Sequence, residues 1–130
     1  MRLRRPASMA AAAVSIAAAT ALAASPAHAA EQWITFSYES PSEGWGYSTV
    51  TTGTSLKQLT CDQGTPDGLR TVSHLTMPNG NVHTLHASQG SGKCIDGSYS
   101  PMRGTYTLRV CLRDGAYGTD RYCDQNTFQY

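Results

Sequence analysis

The stretch 105–113, TYTLRVCLR, alternates without a fault over nine residues. Tyr106, Leu108, Val110 and Leu112 fall on one side; Thr105, Thr107, Arg109, Cys111 and Arg113 fall on the other. A period of two marks a strand with one buried face. Cys111 belongs to the polar side, so a bridge from it staples the outside of a sheet. The chain continues to Cys123 through Asp114-Gly115-Ala116-Tyr117-Gly118, whose glycines permit a reversal. The segment reads as a hairpin closed by a disulfide, with Tyr117 at its apex and Tyr122 turned inward.

The rest of the chain repeats this idiom in shorter pieces. Large and small residues trade places from Trp33 to Tyr38, which predicts a strand. Tyr47 to Thr52 is rich in β-branched residues and predicts a second. Ser55 to Cys61 reads as a third strand or one helical turn. Thr71 to Ala87 reads as a hairpin about Pro78-Asn79-Gly80. A type I′ turn at Asn79-Gly80 places Met77 opposite Val82 and Leu75 opposite Thr84. Residues 88–101 read as mostly loop, and Thr127 to Tyr130 as a short last strand. Six or seven strands and no helix-period run give an all-β fold. The expected architecture is a small two-sheet sandwich, immunoglobulin-like or Greek-key in type, with two disulfides; a small β-barrel is the alternative.

The N-terminus has a different character. Arg2, Arg4 and Arg5 precede an alanine-rich run, and Ala27-His28-Ala29 forms an A-x-A cleavage pattern. Residues 1–29 are therefore expected to be a signal peptide, and 30–130 one secreted β-domain. The alanine-heavy leader resembles those of actinobacteria, which suggests a bacterial source. The run is weakly apolar for a membrane span and no basic stop follows it, so no membrane insertion is expected after cleavage. The 101 residues of 30–130 carry seven Lys and Arg against nine Asp and Glu, a net charge of −2. No basic surplus remains for a nucleic-acid backbone.

The core inventory is modest: Leu, Ile, Val and Phe together number 15 in 30–130, supplemented by seven Tyr and two Trp. Such domains often need covalent help. Cys61, Cys94, Cys111 and Cys123 all lie in the exported part, and an even number there reads as two disulfides. Three pairings exist; 61–94 with 111–123 is preferred because the second closes a short hairpin. No C-x-x-C pair or Cys–His cluster points to zinc. No metal or cofactor is expected.

Catalytic signals are thin. His83 and His86 are three apart, which on a strand sends them to opposite faces; His74 and His83 share a face in the expected hairpin register. Glu39 and Glu43 lie too close in sequence to show the two facing acids of a glycosidase. Asp62 and Asp67 lie in another loop. Asp114, Asp120 and Asp124 lack the regular calcium-loop pattern, and no G-x-S-x-G elbow occurs. The enzyme question stays open and leans to no.

Recognition signals are better. Trp45, between two glycines in EGWGYS (43–48) with Tyr47 beside it, either anchors a partner or closes the end of the sandwich. The shortage of aliphatic residues favours the second. Tyr117, flanked by Arg113 and Arg121 on a stapled loop, has the composition of a preorganised contact. Trp45, Tyr47, Arg113, Tyr117 and Arg121 are the candidate binding residues. The leading expectation is a non-enzymatic extracellular binding module acting through exposed loops on a protein or glycan, an inhibitor of a secreted hydrolase being its sharpest form. The alternatives are a structural or surface-associated β-domain and a small secreted hydrolase or toxin. The plan is similar in outline to secreted actinobacterial inhibitors of subtilisins and of amylases. The cysteine spacings of 33, 17 and 12 follow no pattern of theirs, so no family is assigned.

Overall fold

The computed structural model describes residues 30–39 and 44–130. The expected signal peptide, residues 1–29, lies outside the described residues, as do residues 40–43 with Glu43 among them. Eight strands follow in order: β1 (Gln32–Tyr38), β2 (Trp45–Thr51), β3 (Leu56–Gln63), β4 (Leu69–Thr76), β5 (Val82–Ala87), β6 (Cys94–Tyr99), β7 (Thr105–Asp114) and β8 (Asp120–Gln129). They form two antiparallel four-stranded sheets, β1-β2-β3-β6 (the first sheet) and β5-β4-β7-β8 (the second). Leaving β1 aside, β2-β3-β6 over β5-β4-β7-β8 is the A-B-E over C′-C-F-G order of an immunoglobulin-type sandwich. Among the described residues no strand pairing joins the two sheets, which sets the barrel alternative aside. Among the described residues, no helix is long and apolar enough to cross a membrane.

The alternation in β7 is obeyed: Tyr106, Leu108, Val110 and Leu112 are buried. With Val50, Leu56, Leu75, Met77 and Phe128 they fill the apolar part of the interior, and Trp33 stacks on Phe128 at 4.1 Å between centroids. Both expected disulfides are present. Cys61–Cys94 and Cys111–Cys123 each join neighbouring strands of one sheet, with Cα atoms 4.1 and 4.2 Å apart. In antibody domains a bridge between the B and F strands crosses the core. Here Cys61 (β3) and Cys111 (β7) occupy those strands but point outward. The interior between them holds a hydroxyl and amide network instead. Gln58 Nε2 donates to Ser73 Oγ at 2.7 Å, Tyr99 Oη donates to Gln58 Oε1 at 3.0 Å, and Thr60 shares hydrogen bonds with Ser73 and Ser48.

Several local expectations are corrected. The 71–87 hairpin exists, but its register is one residue away: Leu75 faces His83 and His74 faces Thr84. Pro78 fixes a negative φ, which suits the first central position of a type I turn. Gly80 N–H donates to the Met77 carbonyl at 2.9 Å, and of these turn residues only Gly80 takes a positive φ, 86°. A type I turn followed by a left-handed glycine adds one residue to the connection and shifts every pair. Residues 88–101, expected as loop, contain β6. Its sequence CIDGSY reads as polar because it is an edge strand, exposed along most of its length and, among the described residues, paired with β3 alone. Of the two readings of 55–61, the strand holds over the helical turn: β3 begins at Leu56 and runs through Cys61, with Ser55 just outside it. β8 runs continuously from Asp120 to Gln129, so 127–129 is its end rather than a separate strand. A bulge in β8 sets Tyr122 and Cys123 against Cys111 alone. Tyr122 takes φ 52° and is exposed, not turned inward.

The two sheets approach closely at Gly46. A Cβ there would lie 1.8 Å from Thr71 Oγ1 and 2.6 Å from Thr71 Cβ. Gly46→Ala is expected to lower stability by about 1–3 kcal/mol through overpacking. Adding Thr71→Gly should return part of that loss, a non-additivity that paired urea titrations would reveal. Equal and additive losses would show that the sheets yield without strain.

Candidate functional site

Strand parity is inverted where the sheets come close. In β1 the small residues Thr35 and Ser37 are buried, while Ile34 and Tyr38 are 45% and 51% exposed. The opposing interior is lined by Gly46, Ser48, Thr60, Thr71 and Ser73, and no space remains for rings. The large side chains of β1 and β2 therefore stand on the outer face of the first sheet. Phe36 pairs with Tyr47 and Tyr38 with Trp45 across the two strands. Their centroids form a closed set: Phe36–Tyr38 5.9 Å, Phe36–Tyr47 6.1 Å, Tyr38–Trp45 5.7 Å and Trp45–Tyr47 6.0 Å. The diagonal Phe36–Trp45 is 6.1 Å. Each such ring pair contributes about 0.5–1.5 kcal/mol beyond its area, so the group is preorganised.

Trp45 is thus the first residue of β2, not a loop residue, and sits in this outer cluster rather than in the core. Tyr47 belongs to the same cluster. Phe36 and Tyr38 were not singled out from sequence. The signal for them was the Ile34/Phe36/Tyr38 parity, which normally marks a buried face. Gln32, Thr49, Thr51, Lys57 and Gln63 share the face by register and give it a polar margin.

The other three candidates lie at the β7–β8 end of the second sheet. Tyr117 is fully exposed at the apex. Arg121 is exposed as well. Arg113 is committed to architecture: its Nε and Nη2 lie 2.7 and 2.6 Å from Asp120 Oδ1, and its Nη1 donates to the Ala116 carbonyl at 3.1 Å. No hydrogen bond, ion pair or ring contact joins these residues to the aromatic cluster among the described residues.

Asp120 is the centre of the second sheet's outer face. Besides Arg113 it meets His74 Nε2 at 3.0 Å and Arg109 at 3.9 Å. Burial pushes its carboxyl up, but the hydrogen bonds and charges of Arg113 and His74 outweigh this and hold it below the usual range. His74 Nδ1 also bonds Thr84 Oγ1 at 3.0 Å. This Thr84–His74–Asp120 chain resembles a nucleophile–base–acid relay, yet it lies on a sheet face with its carboxylate shared among cations. The expected His74/His83 pairing is not realised. The one-residue shift sends His83 inward, where it stacks on Tyr99 at 3.8 Å, and leaves His86 on the His74 side. A shallow cavity of about 500 Å³ between the strand ends is lined by Glu31, Thr52, Arg103 and Tyr130, among others, and includes no histidine. Cys111, Asp120 and Cys123 come together, but both sulfurs are already bonded to one another.

No protein-family model, no curated protein and no solved structure matches this chain, so its functional reading rests on the geometry alone.

Proposed function

We propose that the protein is an extracellular, non-enzymatic binding module that receives a protein partner on the aromatic face of β1 and β2. The four contiguous rings of Phe36, Tyr38, Trp45 and Tyr47 carry the reading. Contiguous exposed apolar surface marks interaction sites. Tyr and Trp at the middle of a patch with a polar margin have the anatomy of a protein interface. A sugar ring needs a free aromatic face to stack on. Here each ring packs beside its neighbours, so a broad partner surface fits better than a single pyranose.

The test uses the disulfide-intact protein to capture partners from its native extracellular milieu, followed by calorimetry on the captured species. Trp45→Ala is expected to weaken binding by at least about 30-fold, the size of a central hot spot. Binding unchanged by both Trp45→Ala and Tyr38→Ala would remove the aromatic face from consideration. A second reading, an inhibitor of a secreted hydrolase, draws on the exposed Tyr117 at a tip braced by Arg113 and closed by Cys111–Cys123. Under that reading Tyr117→Ala abolishes binding and Trp45→Ala does not.

A further inference from the structure

The outer face of the second sheet carries more positive charge than it neutralises. Register places Arg70 directly opposite Arg113. Opposed like charges destabilise a sheet unless something lies between them. Asp120 does this for Arg113, His74 and Arg109, and both its oxygens are used. Arg70 is left over: among the described residues it makes no hydrogen bond or ion pair.

His86 is the diagonal neighbour of Arg70, because Val72 pairs with His86 across β4 and β5. Its Nδ1 is enclosed by protein and has no hydrogen-bond partner. Nε2 is not enclosed in this way. An unpaired buried acceptor costs less than an unpaired buried N–H, so the neutral ring keeps its proton on Nε2, as a donor. A cavity of about 60 Å³ beside His86 is also lined by Ser88, Gln89 and Lys93. Burial and the charges of Arg113, Arg70 and His74 hold the imidazole below its ordinary value, with Asp120 opposing weakly. Among the described residues, Asp120 is the carboxylate whose charge reaches His86, and it is already shared by Arg113, His74 and Arg109.

We propose that Arg70, His86 and Lys93 form an oxyanion site on the second sheet, taking a carboxylate, sulfate or phosphate group of an acidic ligand. It is separate from the aromatic face and stands or falls independently of it. An oxyanion there accepts from the Arg70 guanidinium and from His86 Nε2–H, with the Lys93 ammonium at the margin. It also relieves the Arg70–Arg113 opposition. Charge-assisted hydrogen bonds of this kind are the strong class.

The test follows the histidine ring signals of the disulfide-intact protein by NMR during titration with inorganic phosphate, sulfate and acetate. A background of about 0.15 M NaCl screens loose surface charge. The expected result is a saturable shift at His86 with at least one probe, and the preferred probe names the ligand class. Binding raises the His86 pKa. Arg70→Gln is expected to weaken binding by about tenfold or more. Arg103→Gln, on the cavity between the strand ends, leaves binding unchanged. If no probe gives a saturable His86 shift, or if Arg103→Gln weakens binding as much as Arg70→Gln, the site is overturned in favour of diffuse charge.

Discussion

The double replacement Cys61→Ala/Cys94→Ala is expected to cost roughly 4 kcal/mol of folding stability, from the chain entropy of a 33-residue loop. That loop contains β4 and β5 and so spans an excursion into the other sheet. Its closure brings β6 to β3, the only strand with which β6 pairs among the described residues. β6 has little apolar burial of its own to hold it there. Small domains unfold with about 5–15 kcal/mol in hand, so this single bridge is a large share. The melting temperature should fall by roughly 15–30 °C for a chain of this size. The 12-residue loop of Cys111–Cys123 predicts roughly 3 kcal/mol, the smaller loss of the two. Urea titrations of both double variants check the order. A 61/94 variant within about 1 kcal/mol of the parent would mean that β6 is held by packing instead.

Asp120→Ala is expected to cost about 3 kcal/mol, because it strips the shared carboxylate from Arg113, His74 and Arg109. The carboxylate is 15% exposed and its two nearest partners 16% and 20%, so water compensates poorly. The same group makes an acid-side prediction. Its folded pKa lies below the ordinary 3.8, since the Arg113 and His74 contacts overcome the upward push of burial. The folded state therefore binds the proton less readily than the unfolded chain. The contribution is fully present above pH 3.8 and disappears as pH falls through the lower folded value. Asp62 acts with the opposite sign. Burial raises its carboxyl, the Thr71 hydroxyl opposes this, and Asp67 reinforces it. Its share is present below 3.8 and lost as pH rises through its folded value. Comparing the parent with Asp120→Asn across pH 2–5 isolates the first effect, because Asp62 is common to both. Parallel stability curves would contradict the assigned role of Asp120.

Much of the fold was legible in the residues themselves. The alternation of 105–113 placed four side chains of β7 in the interior, and the preference for closing a short hairpin at Cys111–Cys123 led to the observed pairing. Both signals are local: one needs only the pleat, the other only a short loop. Where a local rule had competition, it failed. Pro78 overrode the Asn79-Gly80 turn preference and moved the β4–β5 register by one, which exchanged the faces expected for the histidines. β6 escaped notice because an edge strand that pairs with one distant neighbour needs no hydrophobic alternation.

The candidate site was legible only in part. Trp45 and Tyr47 are conspicuous by residue type, but the alternation of β1 does not tell on which face Phe36 lies. By itself, the sequence determined that the chain is a β structure stapled by two bridges, since pleat and sulfur chemistry act between near neighbours. Tertiary structure alone decided that Phe36, Tyr38, Trp45 and Tyr47 face outward and that Arg70 makes no ion pair among the described residues. An alternating strand defines two faces without saying which is covered. That choice follows from how closely Gly46 and Thr71 bring the sheets together, and from which strand carries Asp120 to the centre of the opposite face.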